Sequence, residues 1–162
     1  MISMVDFTML RQACELIQKW KPVWPDIVLN VNFSRNTLME PDFLERIDQI
    51  LSETGADPAQ LIFEITESSQ NIQLESLCSL LDEVKQRGIS LAIDDLGTEA
   101  ACLEMLYLPQ ISVAKIDKSL IDKAEHIDRE QIVIRHLVDL CHDLNMRCVA
   151  AVSYTHLRAH ET

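Results

Sequence analysis

Apolar positions recur along this chain with two alternating periods. From Val5 to Trp20, the residues Val5, Met9, Ala13, Leu16, Ile17 and Trp20 fall on one side of a helix. Pro22 and Pro25 end it, because proline cannot continue the backbone ladder. Ile27 to Ser34 is a β-branched strand run in which Asn30 and Asn32 share a face, since side chains alternate along a strand. Pro41 suits the first turn of a second helix, and its apolar positions are Phe43, Leu44, Ile47, Ile50 and Leu51. Gly55 stops it. Leu61 to Ser68 is a second strand with Glu64 set among Ile62, Phe63 and Ile65. Ser68 or Ser69 can cap the next helix, which runs through Leu74, Leu77, Leu80, Leu81 and Val84 to Gly88.

Ser90 to Thr98 forms the third strand and its turn. Leu91, Ala92 and Ile93 lead into Asp94 and Asp95, with Gly97 close behind. Alternation forbids both carboxylates from pointing the same way on a regular strand. A shorter helix spans Cys102 to Tyr107 and ends before Pro109. Ser112 to Asp117 is a fourth strand with Lys115 and Asp117 on one face. Glu130 to Leu144 is helical, with Asn145 as its C-terminal cap, and Arg147 to Val152 begins a fifth strand. Strand and helix alternate every 20 to 35 residues or so, the pattern of βα units around a parallel sheet with right-handed crossovers. The predicted fold class is α/β, an incomplete β/α (TIM-type) barrel of about five parallel strands with alternating helices.

The polar residues in these strands change the picture. Asn32, Glu64, Asp94 with Asp95, and Lys115 with Asp117 each sit at or near a strand's C-terminal end. That rim holds the active site of a β/α barrel. Any one of them alone reads as well as a satisfied core group, and Asp94-Asp95 as a cap for the following segment. Repetition over four successive strands points instead to one shared site. Three carboxylate-bearing positions with an amide oxygen make a hard oxygen set, suited to Mg²⁺ or Mn²⁺ rather than zinc. Two such ions can activate water and clamp a phosphodiester, and a nearby lysine can orient the nucleophile.

Composition narrows the class. The 162 residues are 48% hydrophobic and 25% charged, as expected of a globular chain, and the net charge is −12. Such a surface argues against nucleic-acid polymers and anionic membranes as partners, but not against a small anion bound through metal ions. No apolar run approaches the 18 or so residues of a membrane span. Cys14, Cys78, Cys102, Cys141 and Cys148 form no metal or disulfide spacing, and most lie in apolar stretches, which suggests buried thiols in a reducing cytoplasm. His126, His136 and His142 lie on or near helices and are read as surface or packing residues.

Four segments together carry a family resemblance: VNFS at Val31 to Ser34, FEITES at Phe63 to Ser68, AIDDLGT at Ala92 to Thr98, and AKIDKSLI at Ala114 to Ile121. In order and spacing they resemble the EAL domain family, cyclic di-GMP phosphodiesterases with a β/α-barrel fold, over roughly residues 5 to 150. The resemblance implies that Asn32, Glu64 and Asp94 are metal ligands and that Asp95 lies at or beside a second metal. It also implies that Lys115 positions the attacking water with support from Asp117. Glu67 would shape the loop after Asp95. Cyclic di-GMP would be linearised to pGpG with two Mg²⁺ or Mn²⁺ ions, in a homodimer. An upstream diguanylate-cyclase-like (GGDEF) or sensory domain would be common for the family.

The departures set further expectations. The Glu-Ala-Leu signature belongs on a strand before residue 1. The family's DDFGTGYSSL loop reads DDLGTEAACL here, with Leu96, Glu99 and Ala100 at changed positions. Ala151 stands where the family's AEGVE strand has a functional Glu. The partial domain is therefore assigned to residues 1–151. The tail 152–162, ending SYTHLRAHET, looks like a translated sequencing-adapter artefact and is set aside with His156 and His160. A whole β/α barrel takes about 250 residues, so the isolated chain is expected to be poorly stable and inactive. The residues leave three functions open. One is a cyclic di-GMP phosphodiesterase. Another is a degenerate EAL-like domain that binds the nucleotide or a protein partner without turnover, suggested by the altered loop. The third is an unrelated metal-dependent barrel enzyme such as an aldolase.

Overall fold

The structure is a computed structural model that describes residues 2–66, 74–96, 103–124 and 128–150. Its helices are α1 (Ile2–Trp20), α2 (Arg35–Leu38), α3 (Phe43–Thr54), α4 (Leu74–Gln86), α5 (Lys118–Ala124) and α6 (Asp128–Asp143). Its strands are β1 (Leu29–Ser34), β2 (Leu61–Thr66), β3 (Ser90–Leu96), β4 (Val113–Ile116) and β5 (Arg147–Ala150). Short 3₁₀ turns at Pro58–Gln60 and Leu103–Tyr107 lead towards β2 and β4. The strands stand in the order β1-β2-β3-β4-β5, and every neighbouring pair is parallel. This is the α/β arrangement that the alternating periods predict. Of the predicted helix over Cys102 to Tyr107, Leu103–Tyr107 is the 3₁₀ turn and Cys102 lies outside the described residues, while α2 and α5 were not predicted from periodicity. The tail and Ala151 lie outside the described residues.

Register divides the sheet into two faces. Val31 pairs with Phe63 and Phe33 with Ile65, while Phe63 and Ile65 pair with Leu91 and Ile93. All six are buried, and with Ala114 they face the helices. Phe33 anchors this layer. Its ring lies 5.9 Å from Phe7 of α1, 5.4 Å from Phe43 of α3 and 4.6 Å from Phe63 of β2. Tilted and edge-on ring pairs of this kind add to their area burial. The opposite face carries Asn30 and Asn32, Glu64, Ala92 and Asp94, and Lys115.

Two helix ends follow from sequence. Gly55 takes the left-handed conformation after α3 (φ 66°), and its N–H returns to Leu51 O at 2.9 Å. Asn145 does the same after α6 (φ 58°), where Met146 N donates to Cys141 O at 2.8 Å.

Helix α1 differs from the expectation. The face it buries is Phe7, Leu10, Cys14 and Ile17. Of the residues expected to be inside, Val5, Met9, Leu16 and Trp20 are exposed, and only Ile17 is fully buried. The helix is apolar on two sides. The side with Phe7 can reach Phe33 and Phe43 together and so takes the core. The other side borders a cleft of about 690 Å³ whose far wall is β1. Among the described residues, β1 pairs only with β2.

Candidate active site

The C-terminal ends of β1 to β4 bring the polar residues together. Glu64 is 2% exposed, a carboxylate inside the protein that needs compensation. Lys115 supplies it. Its ammonium lies 2.8 Å from Glu64 Oε2 and 3.1 Å from Asp94 Oδ1. Asn30 Nδ2 donates to the other oxygen, Glu64 Oε1. Three neighbouring strands plus β1 thus converge on one buried carboxylate. Burial alone would lower the Lys115 pKa, but the hydrogen bonds it donates to Glu64 and Asp94 outweigh it and hold the ammonium above its ordinary value.

The paired aspartates are accommodated by a bulge. Ile93 pairs with Ala114 and Leu96 with Ile116, so β3 spends one residue more than β4 over the same stretch. Asp95 takes φ 57° there. Its N–H donates to Asp94 Oδ1 at 3.0 Å. Leu96 then returns to the core at 1% exposed. The result is Asp94 on the polar face beside Lys115 and Asp95 on the surface. Partial desolvation, then the charges of Asp94 and Asp117, push the Asp95 carboxyl above its usual range, although much of its area is exposed.

The neighbouring residues are held in place locally. Asp6 of α1 accepts from Ser34 N at 3.1 Å, Ser34 Oγ at 3.2 Å and Thr37 Oγ1 at 2.6 Å. Ser34 in turn caps α2 through Thr37 N at 3.2 Å. This clamp fixes the end of β1 just after Asn32. Asn32 is in register with Glu64 and its side chain is exposed. Asp117 lies past the end of β4, where Oδ1 accepts from Ser119 N at 2.8 Å across the start of α5. Hydrogen bonding from the Ser119 side chain, and then from its backbone N–H, keeps the Asp117 carboxyl below the usual range. Glu67 lies outside the described residues. Asn30 is the site residue that strand reading passed over. Its signal was present in the two-residue spacing that puts it on the same face as Asn32.

The chemistry of this donor set fits a hard divalent cation. Glu64 and Asp94 already share one cation, and the amide oxygen of Asn32 sits in register beside them. Two carboxylates against one ammonium leave the cluster negative, and Asp95 adds to that. A phosphodiester would be repelled from such a cluster unless further positive charge accompanied it. Among the described residues, no three His, Cys, Asp or Glu side chains are grouped closely enough to hold an ion by themselves. The remaining coordination positions would fall to Asn32, water and the phosphate.

The family model described as the EAL domain matches residues 1–152. The chain belongs to the EAL domain family. An uncharacterized protein of Azorhizobium caulinodans is 32% identical over 120 residues, covering 74% of this chain and 16% of that protein. The chain therefore spans about a sixth of the length of that relative. Among solved structures, the PaMucR phosphodiesterase in its c-di-GMP complex matches with a TM-score of 0.81 at 25% identity, over 94% of this chain and 62% of that one. Klebsiella pneumoniae BlrP1, in a manganese and cyclic di-GMP complex, matches with a TM-score of 0.79 at 25% identity, over 93% of this chain and 38% of that one. This EAL chain thus shares the α/β fold of these solved structures over most of its length, as five parallel strands alternating with helices. Among its described residues, no helix is long and apolar enough to cross a membrane.

Proposed function

We propose that the protein containing this chain hydrolyses cyclic di-GMP to linear pGpG, with Mg²⁺ or Mn²⁺ held at the ends of β1 to β3. The observation that carries this reading is the Glu64–Lys115–Asp94 cluster. It is a largely buried, net negative oxygen set that holds one cation among the described residues, on the rim where a β/α barrel does chemistry. The cyclic di-GMP complexes of two EAL structures supply the substrate class. Glu64, Asp94 and Asn32 would hold the ions, with Asp95 at or beside the second. Bound there, divalent ions supply Lewis-acid polarisation of the phosphodiester and a more acidic water. Lys115 has one donor to spare beyond its two carboxylates. It orients the attacking water by donating to its oxygen, so that a lone pair faces phosphorus. Asp95 would take up the water's proton as the phosphorus–oxygen ester bond breaks, and solvent would return a proton to the leaving ribose oxygen.

The test is hydrolysis by the complete protein, followed by separation of cyclic and linear dinucleotide. Asp94→Asn and Glu64→Gln should each cost at least about 100-fold in turnover. Unchanged turnover in either variant refutes the ligand assignment. The altered loop DDLGTEAACL favours a second reading, nucleotide binding without hydrolysis. Tight cyclic di-GMP binding by the unmodified protein, with no linear product in either metal, would establish that reading instead.

A further inference from the structure

Two thiols, Cys141 of α6 and Cys148 of β5, lie on the helix-covered side of the sheet, opposite the face that carries the carboxylate cluster. Cys148 pairs in register with Ala114, which is fully buried, so Cys148 points to the helix-covered face of β5. Cys141 is the buried residue of α6, the crossover helix that packs on β5. Both belong to the same packed cluster, Cys141 inside it and Cys148 at its margin. The turn between them is fixed by the bond from Met146 N to Cys141 O at 2.8 Å. Nothing in the hydrolytic reading uses either residue.

We infer that Cys141 and Cys148 form a redox-modification site, a dithiol that hydrogen peroxide or an alkyl peroxide converts into a disulfide joining α6 to β5. The order of events follows from exposure. Cys141 has no solvent-accessible area, while Cys148 is only half-buried and so the more exposed of the two. Burial pushes the Cys141 thiol up to about 11, with Cys148 adding to the effect, so Cys141 is the poorer first nucleophile. The Cys148 thiolate attacks the peroxide. The oxygen–oxygen bond breaks, a sulfur–oxygen bond forms, and water or an alcohol leaves. The Cys141 sulfur then attacks the sulfenic sulfur. A sulfur–sulfur bond replaces the sulfur–oxygen bond, and the released hydroxide takes the Cys141 proton as water. Both sulfurs are oxidised and the peroxide is reduced, with no other reactant. The link would pin β5 beside β4, where Val149 stands opposite Lys115.

The test is peptide mapping of the full chain after stoichiometric peroxide and alkylation of remaining thiols. The expected result is a dithiothreitol-reversible link between the peptides carrying Cys141 and Cys148. Cys148→Ser should abolish the link and leave Cys141 alkylatable. Cys141→Ser should leave a sulfenic acid on Cys148 that dimedone traps. Over-oxidation of Cys148 without a link in the unmodified chain would overturn the inference. So would linkage of either residue to Cys14, Cys78 or Cys102. So would two untouched thiols under conditions that fully oxidise glutathione.

Discussion

Replacing Lys115 with methionine keeps most of the side chain's volume and removes its charge. Glu64 then loses the cation at 2.8 Å and Asp94 the one at 3.1 Å. Leaving one partner of a buried pair unmatched costs about 3–5 kcal/mol. The Glu64 side chain is only 3% exposed, but Asp94 and Lys115 are 19% and 20% exposed, so water recovers part of the loss. Asn30 also continues to donate to Glu64. The expected loss at pH 8 is therefore about 2–3 kcal/mol. In a domain of this size that lowers Tm by about 5–10 °C. The pH dependence carries the sharper signature. Although burial alone would lower it, Glu64 and Asp94 hold the folded Lys115 pKa above the unfolded value. Such a group contributes its stability below the unfolded pKa and loses it as pH rises through the folded one. The gap between Lys115→Met and the unmodified protein should therefore be fully present at pH 8 and shrink as pH rises above the ordinary lysine value of 10.5. Urea unfolding followed by far-ultraviolet circular dichroism across that range measures it. A loss under about 0.5 kcal/mol at pH 8, or a gap that does not narrow as the solution is made more alkaline, would refute the claim that Lys115 compensates the buried carboxylate.

The other predictions concern the frame around the site. Asp6→Ala removes an acceptor of three hydrogen bonds and should cost about 2 kcal/mol in chemical denaturation; a loss within error would mean that α1 does not hold the end of β1. Phe33→Ala empties a fully buried position contacted by three other rings and should cost about 3–5 kcal/mol, read as lost amide protection in β1 and β2 under hydrogen exchange. Arg87 meets Asp48 through two bonds of 2.7 and 2.8 Å, but Asp48 is half exposed, so Arg87→Met should cost under about 1 kcal/mol. Hydrogen bonds from Arg87 lower the Asp48 pKa, so this contribution is present above the ordinary carboxylate value and is lost as pH falls through the lowered one. The Arg87→Met deficit should therefore narrow as pH falls below the ordinary carboxylate range in the same denaturation series.

The strand order and the row of polar strand ends were legible because both rest on alternation, which a single chain displays. Glu64 among Ile62, Phe63 and Ile65 is a conspicuous break in that alternation. What escaped depended on partners. The bulge at Asp95 exists only relative to β4, so no inspection of β3 alone could reveal it. Residues of α1 were placed on the wrong side because the helix offers two apolar faces and only the position of Phe33 chooses between them. Asp117 was read as a strand residue, but β4 ends at Ile116 and the carboxylate serves the start of α5. That helix, Lys118–Ala124, is too short for periodicity to announce.

The strand order has a consequence for how the molecule opens. The charges of the site come from successive units: Glu64 from β2, Asp94 from β3 and, among the described residues, their shared cation from β4. No prefix of the chain that stops before β4 is electrically balanced at the site. A partly open form in which β4 has swung away keeps a buried carboxylate without its counter-ion, which makes that opening costlier than fraying of β5. Native-state fluctuations should therefore peel the sheet from the β5 end, while β2, β3 and β4 exchange their amide hydrogens as one cooperative block.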